Sequence, residues 1–416
     1  MRKLILTISF LFLSLFLFAQ TTITSSMNWS QIRSILNTQF DTLYAGKFTS
    51  NLTVRKATPR LYLSTAYYLG INGSLLQWNG VTIANSVTAS PYTTQYGYQA
   101  GNATATGVGN TFIGYQAGLS NTSGKQNTFI GYQAGYSNVA HDLTTNNGSY
   151  NTFVGWRAGY SNLGSGSNTL IGCMSGYNFS YQNLLGYAEE NVVVGDGAAW
   201  ASNMGNQNVI LGHRAFCNNY VAYSDNDTSR ANIIIGRMAG MYAHNLNYNV
   251  IIGDDAGWYT KADNNVFIGR RAGIYDTTGT DNVFVGCYAG YTNDKGNNNT
   301  YIGSGAGQNG KNTSANNTFL GKQAGYSNST GAGNLFLGYQ AGYSETGSNL
   351  LYISNSNTAN PLIKGDFSTG IVTINTVLKL TPQADPPGTP AEGQIYADTD
   401  HHLYYYNGTD WKILDN

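Results

Sequence analysis

Along most of the chain a three-residue apolar block recurs at a nearly fixed interval. Thr111-Phe112-Ile113 precedes Gly114, and Thr128-Phe129-Ile130 precedes Gly131, 17 residues later. The closing glycines continue at Gly155, Gly172, Gly195, Gly212, Gly236, Gly253, Gly269, Gly286, Gly303, Gly321 and Gly338, with a weaker opening copy around Gly97. Most steps are 17 residues, one is 16, one is 18, one is 23 and two are 24, so extra length enters as loops between units. A coiled solenoid behaves this way, because each turn stacks on its neighbour while its loops vary. Consecutive strand residues point to opposite faces. The first and third residues of each block therefore share one face and the second uses the other, yet both faces are apolar. One can line a narrow core; the other leaves an aromatic and aliphatic ladder several coils long outside, which is an association surface. A closed trimer satisfies it, and a dimer or contact with the second half of each coil is also compatible with the spacing.

The polar positions keep the same register. Asn opens each unit, as at Asn110 and Asn127, where its side chain can bond nearby backbone or the same Asn one coil away. Ala falls three residues after the glycine, as at Ala117 and Ala134, a site with no room for more. The next residue is most often Gly, as at Gly118 and Gly135, which permits a turn conformation closed to other residues. Phased apolar positions exclude disorder despite the Gly- and Asn-rich composition.

The expected fold is all-β: a β-roll or β-solenoid of about 17-residue coils, in an intertwined or side-by-side trimer, with a short N-terminal helix and a small C-terminal β tip. Residues 1–20 read as a signal peptide, with Arg2-Lys3 before an apolar run ending at Ala19. Residues 21–46 read as a leader and a short helix with Trp29, Ile32, Leu36, Phe40 and Leu43 along one side. The remaining divisions are a small β region at 47–95, the solenoid at 96–353, a β cap at 354–380, a Pro-rich linker at 381–390 and a hairpin tip at 391–416 with a turn at Asn407-Gly408. After signal cleavage no stretch is apolar enough to span a bilayer.

Charged residues are only 10% of the chain and balance to zero, without a Lys/Arg cluster for nucleic acid. The glycines lack a phosphate-loop context, and neither a metal nor a cofactor site is expected. Cys173, Cys217 and Cys287 are an odd set, and the levels of Cys173 and Cys287 lie too far apart for a disulfide. Candidate chemistry gathers at the position after the repeat glycine, which carries Tyr115, Tyr132 and Trp156, then Asp196, His213, Arg237, Asp254 and Arg270, and later Tyr339. The aromatics could stack on sugars and the charges could form a mixed ladder on a possible ligand-binding surface. Asp196 and Asp254 lie about 14 Å apart at strand spacing, too far for a glycosidase pair, so an enzyme is not expected; polysaccharide hydrolysis or lysis is the residual alternative. Two longer loops, with His141-Asp142 and with Tyr220, Tyr223, Asp225 and Asp227, are further recognition candidates.

The Asn-x-Phe-Ile-Gly-Tyr-Gln-Ala-Gly unit, over about Tyr96 to Ile353, resembles the head repeats of trimeric autotransporter adhesins, and more closely the tyrosine-rich variant of Bacteroidetes secreted surface and phage tail-fibre-like proteins. The resemblance implies a homotrimeric rod, secreted or on the surface of a Gram-negative bacterium, that mediates adhesion. Its partners would be surface glycans or proteins. A glycan- or receptor-binding tail-fibre-like protein is the alternative. The coiled-coil stalk and C-terminal membrane barrel of autotransporters have no counterpart in the sequence, so self-anchoring is not implied.

Overall fold

The computed structural model describes residues 92–101, 106–139, 148–178, 188–202, 204–217, 229–309 and 314–414, together with the backbone of strands at 54–55, 58–62, 68–72, 75–78 and 81–86. The expected signal peptide and helix and both long loops read as recognition candidates, around His141 and Tyr223, lie outside the described residues. Among the described residues no helix is long and apolar enough to cross a membrane.

The protein is an all-β solenoid. Val54–Arg55, Thr58–Tyr62, Tyr68–Asn72, Leu75–Trp78 and Val81–Ser86 form an antiparallel meander. Its last strand hands over antiparallel to Thr94–Tyr96, the first rung of a parallel ladder. Fifteen strands follow one another to Leu350–Ile353, each paired in parallel with the next and none shifted in register: Thr111 faces Thr128, Phe112 faces Phe129 and Ile113 faces Ile130. At ordinary strand spacing the ladder is about 67 Å long. The direction reverses at the far end, where Ile363–Asp366 and Ile371–Ile374 add two antiparallel strands. A separate three-stranded antiparallel sheet, Ile395–Ala397, Leu403–Tyr406 and Trp411–Ile413, ends the chain.

The expected division of faces holds. The middle residue of each block is inside and fully buried, whereas its two neighbours are half-exposed, as in Thr111–Ile113 and Val250–Ile252. Inside, identical positions stack. Phe112, Phe129 and Phe153 have ring centroids 5.3 and 4.7 Å apart, and Phe267, Phe284, Tyr301, Phe319 and Phe336 follow at 4.7–5.1 Å. Five coils between these stacks use Leu170, Val193, Ile210, Ile234 and Ile251 instead. The Ala row, including Ala117 and Ala134, is completely buried. Ser175, its one polar member, donates its hydroxyl to the Val193 carbonyl at 3.1 Å.

Two kinds of glycine make this packing possible. Gly114 has φ +135°, and a Cβ there would lie 2.3 Å from the Gly131 carbonyl oxygen of the next coil. Gly135, with φ +58°, has a different neighbour: a Cβ would lie 2.6 Å from the Phe129 ring of its own coil. That second requirement eases where the ring is missing: an added Cβ would have 3.5 Å at Gly240, opposite Ile234, and 2.9 Å at Gly257, opposite Ile251. In the Val193 coil the same turn position is Ala199, and in the Ile210 coil it is Phe216, buried and at φ 50°. The ring absent from the strand thus reappears on the turn.

The Asn corner is a continuous hydrogen-bonded ladder. The Asn110 Oδ1 accepts the Asn127 N–H at 2.9 Å, Asn127 does the same for Asn151, and the relay runs through Asn334 to the Leu350 N–H. Each amide also secures the loop, as when Asn110 Nδ2 donates to the Gly124 carbonyl at 2.9 Å. All these Asn side chains are buried, so each bond satisfies a backbone group that would otherwise cost about 1–3 kcal/mol.

A second corner, seven residues after the glycine, carries Asn121, Asn138 and Asn162, linked at 2.7 and 2.6 Å, and later Asp276 and Asn293. Asp276 is a carboxylate in an amide's place. Burial pushes its pKa well up, against the opposing donors from Asn293, the Gly279 N–H and Asn282. Its folded pKa therefore lies above the unfolded value of about 3.9, and stability falls as pH rises from there through the folded value. Asp276→Asn should adopt the arrangement of Asn121 and Asn162, whose Nδ2 donates to the carbonyl three residues on. Thermal unfolding should show a higher midpoint than wild type at pH 7, a gain that shrinks towards pH 4; an equal or lower midpoint at pH 7 would contradict this account.

The two glycine environments give a second test. Gly135→Ala should be destabilised by about 1–3 kcal/mol from overpacking against Phe129, in addition to the left-handed backbone cost of about 1–2 kcal/mol. Gly240→Ala should show the backbone cost alone. Denaturant titration of the two variants would refute the ring-contact explanation if they lost equal stability.

Candidate functional site: the outward rows of the rod

A side chain on a coil meets its counterparts on the coils above and below, so every surface site here is a row. The row after the repeat glycine begins with Tyr98, Tyr115, Tyr132 and Trp156, whose centroids lie 5.6, 5.0 and 6.4 Å apart with planes within 17° of parallel. The structure therefore brings Tyr115, Tyr132 and Trp156 together and places Tyr339 at the other end of the ladder. Because the rings stack on one another, their faces are turned along the rod. What they present sideways is ring edges and phenol hydroxyls, so a sugar alongside would meet edges rather than faces.

Beside them runs a row of amides. Gln116 Nε2 donates to Gln99 Oε1 and Gln133 Nε2 to Gln116 Oε1, both at 2.8 Å, and Arg157 Nε donates to Gln133 Oε1 at 2.9 Å. These residues hold left-handed φ values of 52–54°. Arg157 also lies over the Trp156 ring at 4.6 Å and the Tyr160 ring at 5.3 Å. Tyr160 belongs to another stack, Tyr136–Tyr160–Tyr177, with spacings of 4.9 and 5.0 Å. Sequence reasoning about the first row passed over this one and the Gln row, although both recur with the same period as the repeat glycine.

Midway along the rod the first row becomes charged. His213 Nε2 lies 3.4 Å from Asp196 Oδ2. Arg237 grips Asp254 with Nε at 2.6 Å and Nη2 at 3.0 Å. Asp255 is the buried member: its side chain is 8% exposed and lies 3.4 Å from Arg237 and 3.3 Å from Arg271. Arg270 and Arg271 cover the Tyr288 ring at 4.9 and 5.9 Å. In the mixed-charge ladder Arg237, Asp254, Asp255 and Arg271 thus form one linked cluster, while His213 lies beside Asp196 and Arg270 lies over a ring. Asp196 and Asp254 belong to different pairs. Burial pushes the Cys173 thiol up, and the adjacent Asp196 carboxylate adds to it, which disfavours the thiolate. Among the described residues no group of three or more His, Cys, Asp or Glu is placed to hold a metal ion.

The largest continuous surface is the outward side of the parallel sheet. Six successive coils there present only aliphatic residues at both outward positions: Val192/Val194, Val209/Leu211, Ile233/Ile235, Val250/Ile252, Val266/Ile268 and Val283/Val285. Ile233 is 40% exposed and Leu320, further along, 44%. Towards the ends Thr takes the first position, as at Thr111 and Thr300.

Since Arg237 and Arg271 share Asp255, their removal should be non-additive. Arg237→Ala and Arg271→Ala should each lower the melting temperature slightly, and the double variant should lose more than the sum, because only then is a buried carboxylate left unpaired. Strict additivity in thermal unfolding would mean that the ladder contributes only screened surface attraction. Compared with protein-family models, with curated proteins and with solved structures, the chain matches none.

Proposed function

We propose that this chain is a secreted or cell-surface structural protein, a fibre-like rod that works as a homotrimer and mediates adhesion. The repetitive β-solenoid is of the kind found in fibrous and structural proteins in general. The observation that carries the finer reading is the aliphatic outward face of the parallel sheet. A β-sheet face of this length buries itself against something, and copies running side by side in register would cover each ladder with an identical one. Three copies around a common axis close the assembly and leave no open face. The Tyr, Gln and charged rows are then left on the flanks, available to surface glycans or proteins, with Tyr115, Tyr132, Trp156, Asp196, His213, Arg237, Asp254, Arg270 and Tyr339 as the contact residues. Their polar edges and paired charges suit recognition better than acid–base chemistry, so the reading is non-enzymatic and needs no cofactor.

The second reading, a receptor-binding fibre, rests on the same rows. It differs in that binding selectivity, rather than mechanical cohesion, is the function. A glycan and cell-surface binding screen that responded to changes at Trp156 or Arg157 would favour it.

Assembly can be tested without disturbing the fold. Ile233 and Ile268 are exposed in the single chain at 40% and 36%, and exposed substitutions ordinarily change stability by less than about 0.5 kcal/mol. The chain without its leader should sediment as a trimer, and the Ile233→Glu/Ile268→Glu variant as a monomer with unchanged β-sheet circular dichroism. A wild-type chain that stays monomeric at micromolar concentration overturns the proposal.

A further inference from the structure

The end of the chain has the opposite problem to the rod. The rod has a continuous core and one open face, whereas among the described residues from 366 to 414 none is fully buried. Yet this segment is neither structureless nor polar. Its final three strands form a regular antiparallel sheet whose register places Tyr396 opposite Tyr404 and Tyr406 opposite Trp411. Alternation along the strands gives the sheet two largely apolar faces. Tyr396, Tyr404, Tyr406, Trp411 and Ile413 occupy one, with ring centroids 4.7–5.2 Å apart. Ile395, Leu403, Tyr405 and Leu414 occupy the other, where Ile395 and Leu414 are each 53% exposed; it also carries Lys412, opposite Tyr405, whose Nζ lies 3.5 Å from Asp410.

A three-stranded sheet needs a covered face to be stable in water, and one this small lacks the core to fold alone. We infer that the sheet at 395–413 is a chain-locking module whose two apolar faces are covered by the same sheet of neighbouring copies. The inference rests on the side-by-side rod proposed above.

Three features select a second copy over other occupants. Both faces present exposed apolar side chains, whereas a saccharide stacking on one aromatic face would leave Ile395 and Leu414 in water. Among the described residues the sheet receives one bridge from the linker, Gln383 to Asp398, and none from the strands of the rod, so its own solenoid does not supply an edge. Finally, the tether is short: residues 381–390 contain Pro382, Pro386, Pro387 and Pro390, and such a linker spans at most about 31 Å. Tips of chains that run side by side are therefore held at an effective concentration in the millimolar range. The approach to the linker is apolar as well, with Ile371, Val372 and Leu378 each at least 60% exposed and Ile371–Ile374 forming the last strand of the long sheet. Covering these residues in the same assembly would close that edge.

The test uses the full chain without its leader and three variants: Tyr404→Ser/Trp411→Ser on one face, Ile395→Ser/Leu403→Ser on the other, and Ile233→Glu/Ile268→Glu on the rod. Because none of these side chains is buried in the single chain, the rod folds in all of them, which circular dichroism verifies. Sedimentation over a dilution series should show each tip variant dissociating at a concentration at least tenfold higher than wild type. Hydrogen exchange at 395–413 should be slow in the wild-type oligomer and fast in the tip variants. An oligomer whose dissociation midpoint and tip exchange are unchanged by both tip variants overturns the inference and leaves the rod proposal standing. Dissociation caused by the tip variants but not by the rod variant supports the inference while overturning the rod face as the assembly surface. A monomeric wild type overturns both, and retention of a glycan that depends on Trp411 with oligomerisation unaffected identifies a ligand platform and overturns the locking role.

Discussion

Strict coil-on-coil registration is the constraint on which the rest of the structure depends. At the glycine that closes each strand the neighbouring backbone comes within 1.9–2.6 Å of where a Cβ would stand. Such an approach is possible only if glycine returns at the same place in every turn that another turn covers. Once it does, everything else stacks by necessity: Asn on Asn, ring on ring, Ala on Ala. A solenoid is in this sense one-dimensional, and a feature of a single coil becomes a row of the whole rod.

Stacking also explains how this core holds with so little in it. A typical coil contributes one large apolar side chain, one Ala and two buried polar corners. The corners satisfy backbone groups that a wider core would have left to a second layer of secondary structure, and the Asn ladder does so with one amide per turn. Where the repeat departs from its rule it compensates locally. Phe216 restores a ring to the turn of the Ile210 coil, and Ser175 finds the Val193 carbonyl. Asp276 is the departure without a full remedy, a carboxylate surrounded by amides with no cation among the groups that bond it.

The same logic places the chemistry outside. The interior is filled by residues that serve the stack, so any recognition falls to the outward rows, and there neighbours consume one another's binding capacity. Tyr115, Tyr132 and Trp156 cover each other's faces, and Arg237 and Asp254 neutralise each other. What remains unconsumed is apolar: the aliphatic side of the sheet and the two-faced sheet at the end of the chain. These are the two surfaces on which the proposed assembly rests.

Much of this was legible in the sequence because a repeat reports its own geometry. The 17-residue period, the strand triplet with its middle residue on one face and its neighbours on the other, the Asn corner and the Ala row follow from spacing and residue size alone, and the structure places them as expected; that the middle residue is the inward one was decided by the tertiary structure. Spacing along a chain does not reveal distances between coils. It was tertiary structure that showed why Gly114 faces a backbone oxygen while Gly135 faces a ring, and that Asn121, Asn138 and Asn162 form a second corner. The candidate surface changed most for the same reason. The sequence placed Tyr115, Tyr132 and Trp156 in one row but could not say that their faces are turned along the rod, because ring orientation is decided by the side chain of the next coil, 17 or 24 residues away.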